Sequence, residues 1–500
     1  MATTNPPISA ASKTRPWLRT GLWLVALIAA FLAFAQFAAG SQLLWNDSTL
    51  LVAAGILAVA LFVALSRARA QGIDARRTFL KCVTMLLWFV LISEQVFVHN
   101  SNSTASASKG SFGVEAFQEV AAWLLAGFVL FLLTLGRPQY LRKMFSGSYK
   151  WVSLFALLAV ASVPLSPSPS YSLAWAFKLV LTVLLLQACV DSMEGNEDLV
   201  SFLYTFLAAI FVNIVLRLVL AATASEPFFV GGRLNELASP TGLSTLAGVL
   251  CLLSLTLFAI RRRGWLLFPI AFGMLVILLT GGKTGMVAGV FAAILFFVLQ
   301  KQVRYALGLL VIFFVIGGVL LATTPLGKYF RDYSQSGEAS TITGRTDLWA
   351  TIWPAILEKP IVGHGYVASR FLSIDLDVAA GWEPPHTHNS FLEPLYNNGI
   401  PGFLLVLIMN IIIIRNLLSV LRNPADQETF YLAAGAFSIY ICLFINGMLK
   451  VTFGGSPDSA FTAFLAMFVV SVALQKMVQR APAPISRAVP TRTAGPSDGH

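Results

Sequence analysis

The chain has 500 residues, 57% of them hydrophobic and only 11% charged, with a mean hydropathy of +0.77 and a formal net charge of +11. A soluble domain of this length cannot solvate its surface with so few charges, so the composition specifies an all-α polytopic integral membrane protein. Disulfide and zinc frameworks are excluded, because Cys82, Cys189, Cys251 and Cys442 stand singly inside apolar runs without a C-x-x-C spacing.

A spanning helix needs about 20 mostly apolar residues. Fourteen candidate segments meet or approach that length, near 18–39, 49–66, 79–98, 116–135, 150–163, 172–190, 199–222, 240–260, 264–280, 284–300, 304–322, 400–420, 429–448 and 458–477. The fifth is short and ends at Pro164, and the ninth and tenth meet in a tight turn, so 12 to 14 spans are expected. The first run is long enough to be a retained span rather than a cleaved signal. Four regions follow: N-terminal helices over 1–322, a large loop over 323–399, C-terminal helices over 400–478, and a Pro-, Ala- and Arg-rich tail over 479–500 that reads as disordered. No internal repeat is evident.

Lys and Arg fix the orientation. With the N-terminus in the cytoplasm, 23 of the 34 basic residues fall on inside segments, nine outside, and two (Lys178 and Arg217) within spans. The C-terminus is then cytoplasmic, and the excess positive charge is topological. No basic stripe with interleaved aromatics points to nucleic acid.

Lys178 and Arg217 lie close to the outer ends of their spans. A cation at mid-bilayer costs roughly 2.5–3.5 kcal/mol; at these depths snorkelling relieves part of that cost. Arg233, after Gly231-Gly232, and Lys283, after Gly281-Gly282, fall in adjacent outside turns where glycines bare backbone amides. Four cations converging on one face, with Glu226 and Glu236 too few to pair them all, point to a bound anion such as a lipid pyrophosphate. Gly282-Lys283-Thr284 does not complete a phosphate-binding P-loop, since Ile277 stands where the first glycine is required.

The long loop is too polar for lipid. From Thr346 to Leu357 its apolar residues (Leu348, Trp349, Ile352, Trp353, Ile356, Leu357) recur at helical spacing, which predicts an amphipathic helix at the outer interface, with both tryptophans on the apolar face and Pro360 as its stop. Thr346 reads as its N-cap with Asp347 in the first turn. Arg345 is either part of that helix start or a ligand for a substrate phosphate or sugar. The loop also holds three of the five histidines, His364, His386 and His388. Imidazole titrates near neutrality and can move a proton. His388, crowded by His386, Asn389, Glu393 and Asn397, is the candidate general base. His386 and His388 could form half of a metal site, but no third ligand has suitable spacing, so no metal is expected.

These residues carry a resemblance. His388-Asn389, nine residues, then Gly399-x-x-Gly402, together with Gly344-Arg345-Thr346 followed by Trp349 and the run Pro360-Ile361-Val362-Gly363-His364-Gly365, resemble the O-antigen ligase and O-antigen polymerase superfamily, in particular exopolysaccharide polymerases of the ExoQ kind. Arg233 and Lys283 match two further family positions, although many relatives carry arginine at the second, so the bidentate fork is lost there. The likeness covers about residues 230–405. It implies an inner-membrane glycosyltransferase of the bacterial envelope with its active site in the periplasm and no cofactor. The implied donor is an undecaprenyl-pyrophosphate-linked glycan whose pyrophosphate rests on Arg233, Lys283, Arg217 and Lys178. His388 would serve as base for an inverting attack by an acceptor hydroxyl, supported by Arg345, Asn389, His386 and Glu393. Implied partners are that donor, an acceptor glycan or lipid A–core, membrane lipids and a chain-length regulator. A polymerase is favoured over a ligase. A lipid-linked glycan transporter is the alternative class, disfavoured because the charges are shallow, on one face and beside a histidine loop.

Overall fold

The computed structural model describes residues 75–97, 114–134, 142–223, 227–230, 233–235, 239–323, 327, 344–372 and 386–480. The first two expected spans and nearly all of the C-terminal tail lie outside these residues.

Within them the chain is almost entirely helical. The helices are α1 (Ala75–Phe97), α2 (Val114–Thr134), α3 (Lys150–Ser162), α4 (Pro169–Ser192), α5 (Asn196–Thr223), α6 (Pro240–Arg261), α7 (Leu267–Thr280), α8 (Lys283–Leu299), α9 (Val303–Thr323), α10 (Arg345–Glu358), α11 (Leu392–Arg422), α12 (Gln427–Gly447) and α13 (Ser459–Arg480). One two-stranded hairpin, β1 (Phe229–Val230) with β2 (Arg233–Leu234), interrupts them. Seven helices are long and apolar enough to cross a membrane: α3 with its flanking turns, α4, α5, α6, α11, α12 and α13. The protein is an all-α polytopic membrane protein, and the twelve expected spans that fall within the described residues each coincide with a helix.

Sequence explains the helix ends. Pro240 opens α6 at a position where its missing N–H is no loss. Asp426 caps α12 by accepting from Thr429 N at 2.7 Å, and Asp458 accepts from Phe461 N at 2.8 Å ahead of α13. Small residues let backbones approach where apolar contact alone gives little specificity. A Cβ on Gly435 (α12) would meet Thr256 of α6 at 2.0 Å, and one on Gly248 (α6) would lie 3.7 Å from the Cα of Gly289 (α8). Between α11 and α12, Tyr440 Oη donates to Asn410 Oδ1 at 2.9 Å.

One end of the bundle is laced with ion pairs. Arg76 of α1 meets Asp198 of α5 at 2.6 Å, Arg261 of α6 meets Glu197 and Glu428 at 2.7 and 3.1 Å, and Lys143 and Lys476 flank Asp191 at 3.7 and 3.8 Å. The candidate site lies at the other end.

Three local expectations are corrected. α10 begins at Arg345 behind Gly344, whose φ of 74° suits glycine, so Thr346 is in the first turn and is not the N-cap. The helix also docks on protein: Leu348 and Ile352 are buried with Ala368, Leu372 and Tyr396, and Trp349 packs against them, while Trp353 points outward. α11 starts at Leu392, ahead of the expected span, and breaks at Gly399 (φ 65°, ψ −164°). A Cβ there would meet Ile361 O at 2.3 Å, so only glycine lets the 360–363 turn cross α11.

Candidate functional site

His388 sits in the segment 386–391 that leads into α11, with a left-handed φ of 53°. That conformation costs a non-glycine residue about 1 kcal/mol or more and persists only where neighbours over-determine it. Here they do. Thr387 is fully buried and donates twice to Glu393 Oε2, from its N–H at 3.0 Å and its hydroxyl at 2.9 Å. His388 N–H donates to His386 Nδ1 at 3.1 Å, and the two rings lie 4.2 Å apart. Asn389 Oδ1 accepts from Phe391 N and Leu392 N at 2.8 and 3.1 Å, capping α11, while its Nδ2 donates to Met448 O at 3.2 Å. Ser390 ties the segment to the α12–α13 connection: its N–H donates to Gly447 O at 2.8 Å, and its Oγ accepts from Thr452 N at 2.8 Å and Phe453 N at 3.2 Å.

Glu393 is the hub. Besides the two bonds from Thr387, it accepts from the Ser369 hydroxyl and from Asn397 Nδ2, and Asn397 Oδ1 in turn accepts from Ser369 N at 2.8 Å. One buried carboxylate therefore joins the histidine segment, the first turn of α11 and the 3₁₀ turn Ala368–Phe371 that carries Arg370. Trp349 of α10 closes the arrangement by donating from Nε1 to Thr387 O at 2.9 Å. His364 is structural: its N–H donates to Tyr396 O, its Nε2 bonds Ala355 O at 2.8 Å, and its ring stacks on Tyr396 at 4.4 Å.

Electrostatics favour neutral imidazoles. Burial, then the charges of Arg345 and Lys450, push His388 from its ordinary 6.5 down to about 3. His386 is likewise held well below its ordinary value by burial, by His388 and by Lys450, Arg370 and Arg345. Three cations thus act on a histidine pair whose neutral form burial already favours.

Lys450 also faces Arg217 of α5. Were Gly242, in the first turn of α6, to carry a Cβ, that atom would lie 2.9 Å from Lys450 Nζ and 3.4 Å from Arg217 Nη1. Arg217 is buried and positioned by Asn213, whose Oδ1 accepts from its Nε at 3.1 Å and whose Nδ2 donates to Ser459 Oγ. Lys283 begins α8, where Gly282 and Gly285 close on Ser244 of the same α6 start. Arg233 lies on β2, in a hairpin tied to the end of α5 by Asn235 Nδ2 donating to Ala221 O at 3.0 Å. Lys178 is engaged differently: its Nζ lies 4.7 Å from the ring centroids of both Trp123 and Trp175. The structure therefore gathers His386, His388, Asn389, Glu393 and Arg345, and reaches Arg217 through Lys450. It sets Lys283 beside α6, Arg233 on the hairpin, and Lys178 in an aromatic cage.

Lys450 and Arg370 were not singled out by sequence. Lys450 is the lone cation between α12 and α13 and Arg370 one of five in the long loop, and neither spacing separates them from topological charge. Among the described residues no group of three or more His, Cys, Asp or Glu could hold a metal ion.

Residues 268–407 match the family model described as O-antigen ligase, which supports the O-antigen ligase and polymerase superfamily. The matched stretch contains Lys283, Arg345, Arg370, His386, His388, Asn389 and Glu393, while Lys178, Arg217, Arg233 and Lys450 lie outside it. None of the curated proteins matches the chain.

Proposed function

We propose that the chain is a glycosyltransferase of the bacterial inner membrane. Its donor would be an undecaprenyl-pyrophosphate-linked glycan taken at the periplasmic face, and its product a polymer of O-antigen or exopolysaccharide repeat units. The observation that carries this reading is a buried histidine pair, inside the stretch matched to the O-antigen ligase family, whose segment is fixed by a buried hydrogen-bond hub, with Arg345 and Lys450 acting on His388 and Arg370 on His386.

The chemistry follows from those parts. An acceptor hydroxyl attacks the anomeric carbon from the face opposite the pyrophosphate, and its proton passes to His388. The anomeric C–O bond to pyrophosphate breaks, and its electron pair leaves on the pyrophosphate oxygen, so the configuration inverts. Arg217, Lys450 and Arg345, with Lys283 at the start of α8 and Arg233 on the hairpin, would stabilise the charge developing on the leaving group. Lys178 is the weakest member of that anion site, since two tryptophan faces already engage it. The donor is activated, so neither nucleotide nor metal has a necessary part.

A reconstituted assay tests this reading. Purified chain is given the lipid-linked repeat unit with and without lipid A–core, and products are resolved on a gel. A ladder from donor alone supports the polymerase; a single shift that needs lipid A–core makes the chain a ligase. Unconsumed donor with folded protein in both arms overturns glycosyl transfer.

A further inference from the structure

We propose that Lys450 is the cation shared between two parts of the site, forming with Arg217 a clamp for the phosphate anion of the donor while standing against His388, so that anion binding and base strength are coupled. This rests on the glycosyl-transfer reading above and adds a residue beyond the family-matched stretch.

Geometry places Lys450 in both neighbourhoods. Its Nζ and Arg217 Nη1 converge on the bare Cα of Gly242, within 2.9 and 3.4 Å of the point a Cβ would occupy. Ser239 Oγ lies 2.9 Å from the same point, so a side chain at 242 would push the lysine away; glycine lets the two cations close on the N-terminal turn of α6, where backbone N–H groups also favour an anion. On the other side, the Lys450 loop is bolted to the histidine segment. Ser390 Oγ donates to Lys450 O at 3.2 Å, and Asn389 Nδ2 donates to Met448 O two residues earlier. These bonds hold the backbone at 448–450 against the segment that carries His388.

The coupling then follows from charge. The groups acting on His388 are Arg345 from α10 and Lys450 from the α12–α13 connection; Arg370 and the neighbouring ring act on His386. Burial first, and these cations after it, hold both imidazoles below their ordinary value. A weak base is protonated little and abstracts little. A phosphate seated between Lys450 and Arg217 offsets the lysine charge, and His388 becomes a stronger base when the leaving group is in place.

The test uses the full chain in nanodiscs, inorganic pyrophosphate as probe, and the variants Lys450→Gln, Lys450→Arg and Arg217→Gln. Two quantities are measured: pyrophosphate affinity, and the pH dependence of diethyl pyrocarbonate labelling of the His388 peptide. The expected result is saturable binding weakened about tenfold or more in Lys450→Gln and largely kept in Lys450→Arg. The labelling midpoint should move to higher pH in Lys450→Gln, and likewise in the wild-type chain when pyrophosphate is added. No saturable binding in the wild-type chain, wild-type affinity in Lys450→Gln, or a labelling midpoint that pyrophosphate does not move overturns the proposal. Failure of glycosyl transfer with pyrophosphate coupling intact would instead refute the reading on which it rests. Unchanged transfer kinetics in Lys450→Gln would refute the clamp and leave that reading standing.

Discussion

Replacing Glu393 by alanine removes the acceptor of four hydrogen bonds at once. The two hydroxyl donors, Ser369 and Thr387, can turn to other acceptors; Thr387 Oγ1 already lies 3.0 Å from Asn389 O. The Thr387 N–H and the Asn397 amide cannot, and each buried donor left without a partner costs about 1–3 kcal/mol. The expected loss is therefore roughly 2–6 kcal/mol, concentrated in the strained histidine segment, so local opening should precede global unfolding. A base displaced by 1 Å loses about a hundredfold in rate. Glu393→Ala should thus lower transfer by about that factor while the protein still inserts, and Glu393→Gln, which keeps one acceptor oxygen, should fall between. Hydrogen exchange across residues 386–393 and initial transfer rates measure the two effects. A Glu393→Ala variant with wild-type rate and wild-type exchange protection would refute the hub.

His388→Ala should abolish transfer without loss of membrane-embedded protein, read from products and from membrane fractions. The depressed histidines fix a pH dependence. Both folded values lie below the ordinary 6.5, so they contribute stability that is full above 6.5 and lost as pH falls, for His388 toward about 3. A His388→Asn variant should show a flatter decline of thermal stability over that window. In kinetics, the acid limb of kcat should lie at higher pH than that of kcat/KM, because donor phosphate offsets Lys450 only in the complex. Gly399→Ala should fail to accumulate as a stable, active chain, since its Cβ would meet Ile361 O at 2.3 Å at a φ of 65°. Lys178→Met should change thermal stability, through loss of two cation–π contacts, with little change in donor KM.

The helices were legible because a membrane leaves the backbone no other choice, and apolar length alone marks each span. The histidine segment was legible for the opposite reason, as polar residues with no structural need at that place. Glu393 was seen as loop support, but its role as a four-bond hub depends on Ser369 and Asn397, which carry no periodic or motif signal. Lys450 was invisible as a site residue because one lysine in an outside loop satisfies topology equally well. Spacing along a chain cannot tell that two tryptophans from different helices flank Lys178. α10 was legible as amphipathic, but which partner covers its apolar face was not.

The way the site is stitched has a consequence for biogenesis. Arg76 must wait for Asp198, a partner 122 residues later, so the earliest described helix is held by spans that insert long after it. The histidine segment is completed later along the chain: Asn389 and Ser390 are anchored by residues 447–453, which emerge after α12. Nearly the whole chain must be synthesised before the His388 segment meets the Lys450 loop, so under the proposed mechanism a prematurely ended chain in the membrane would lack a complete site.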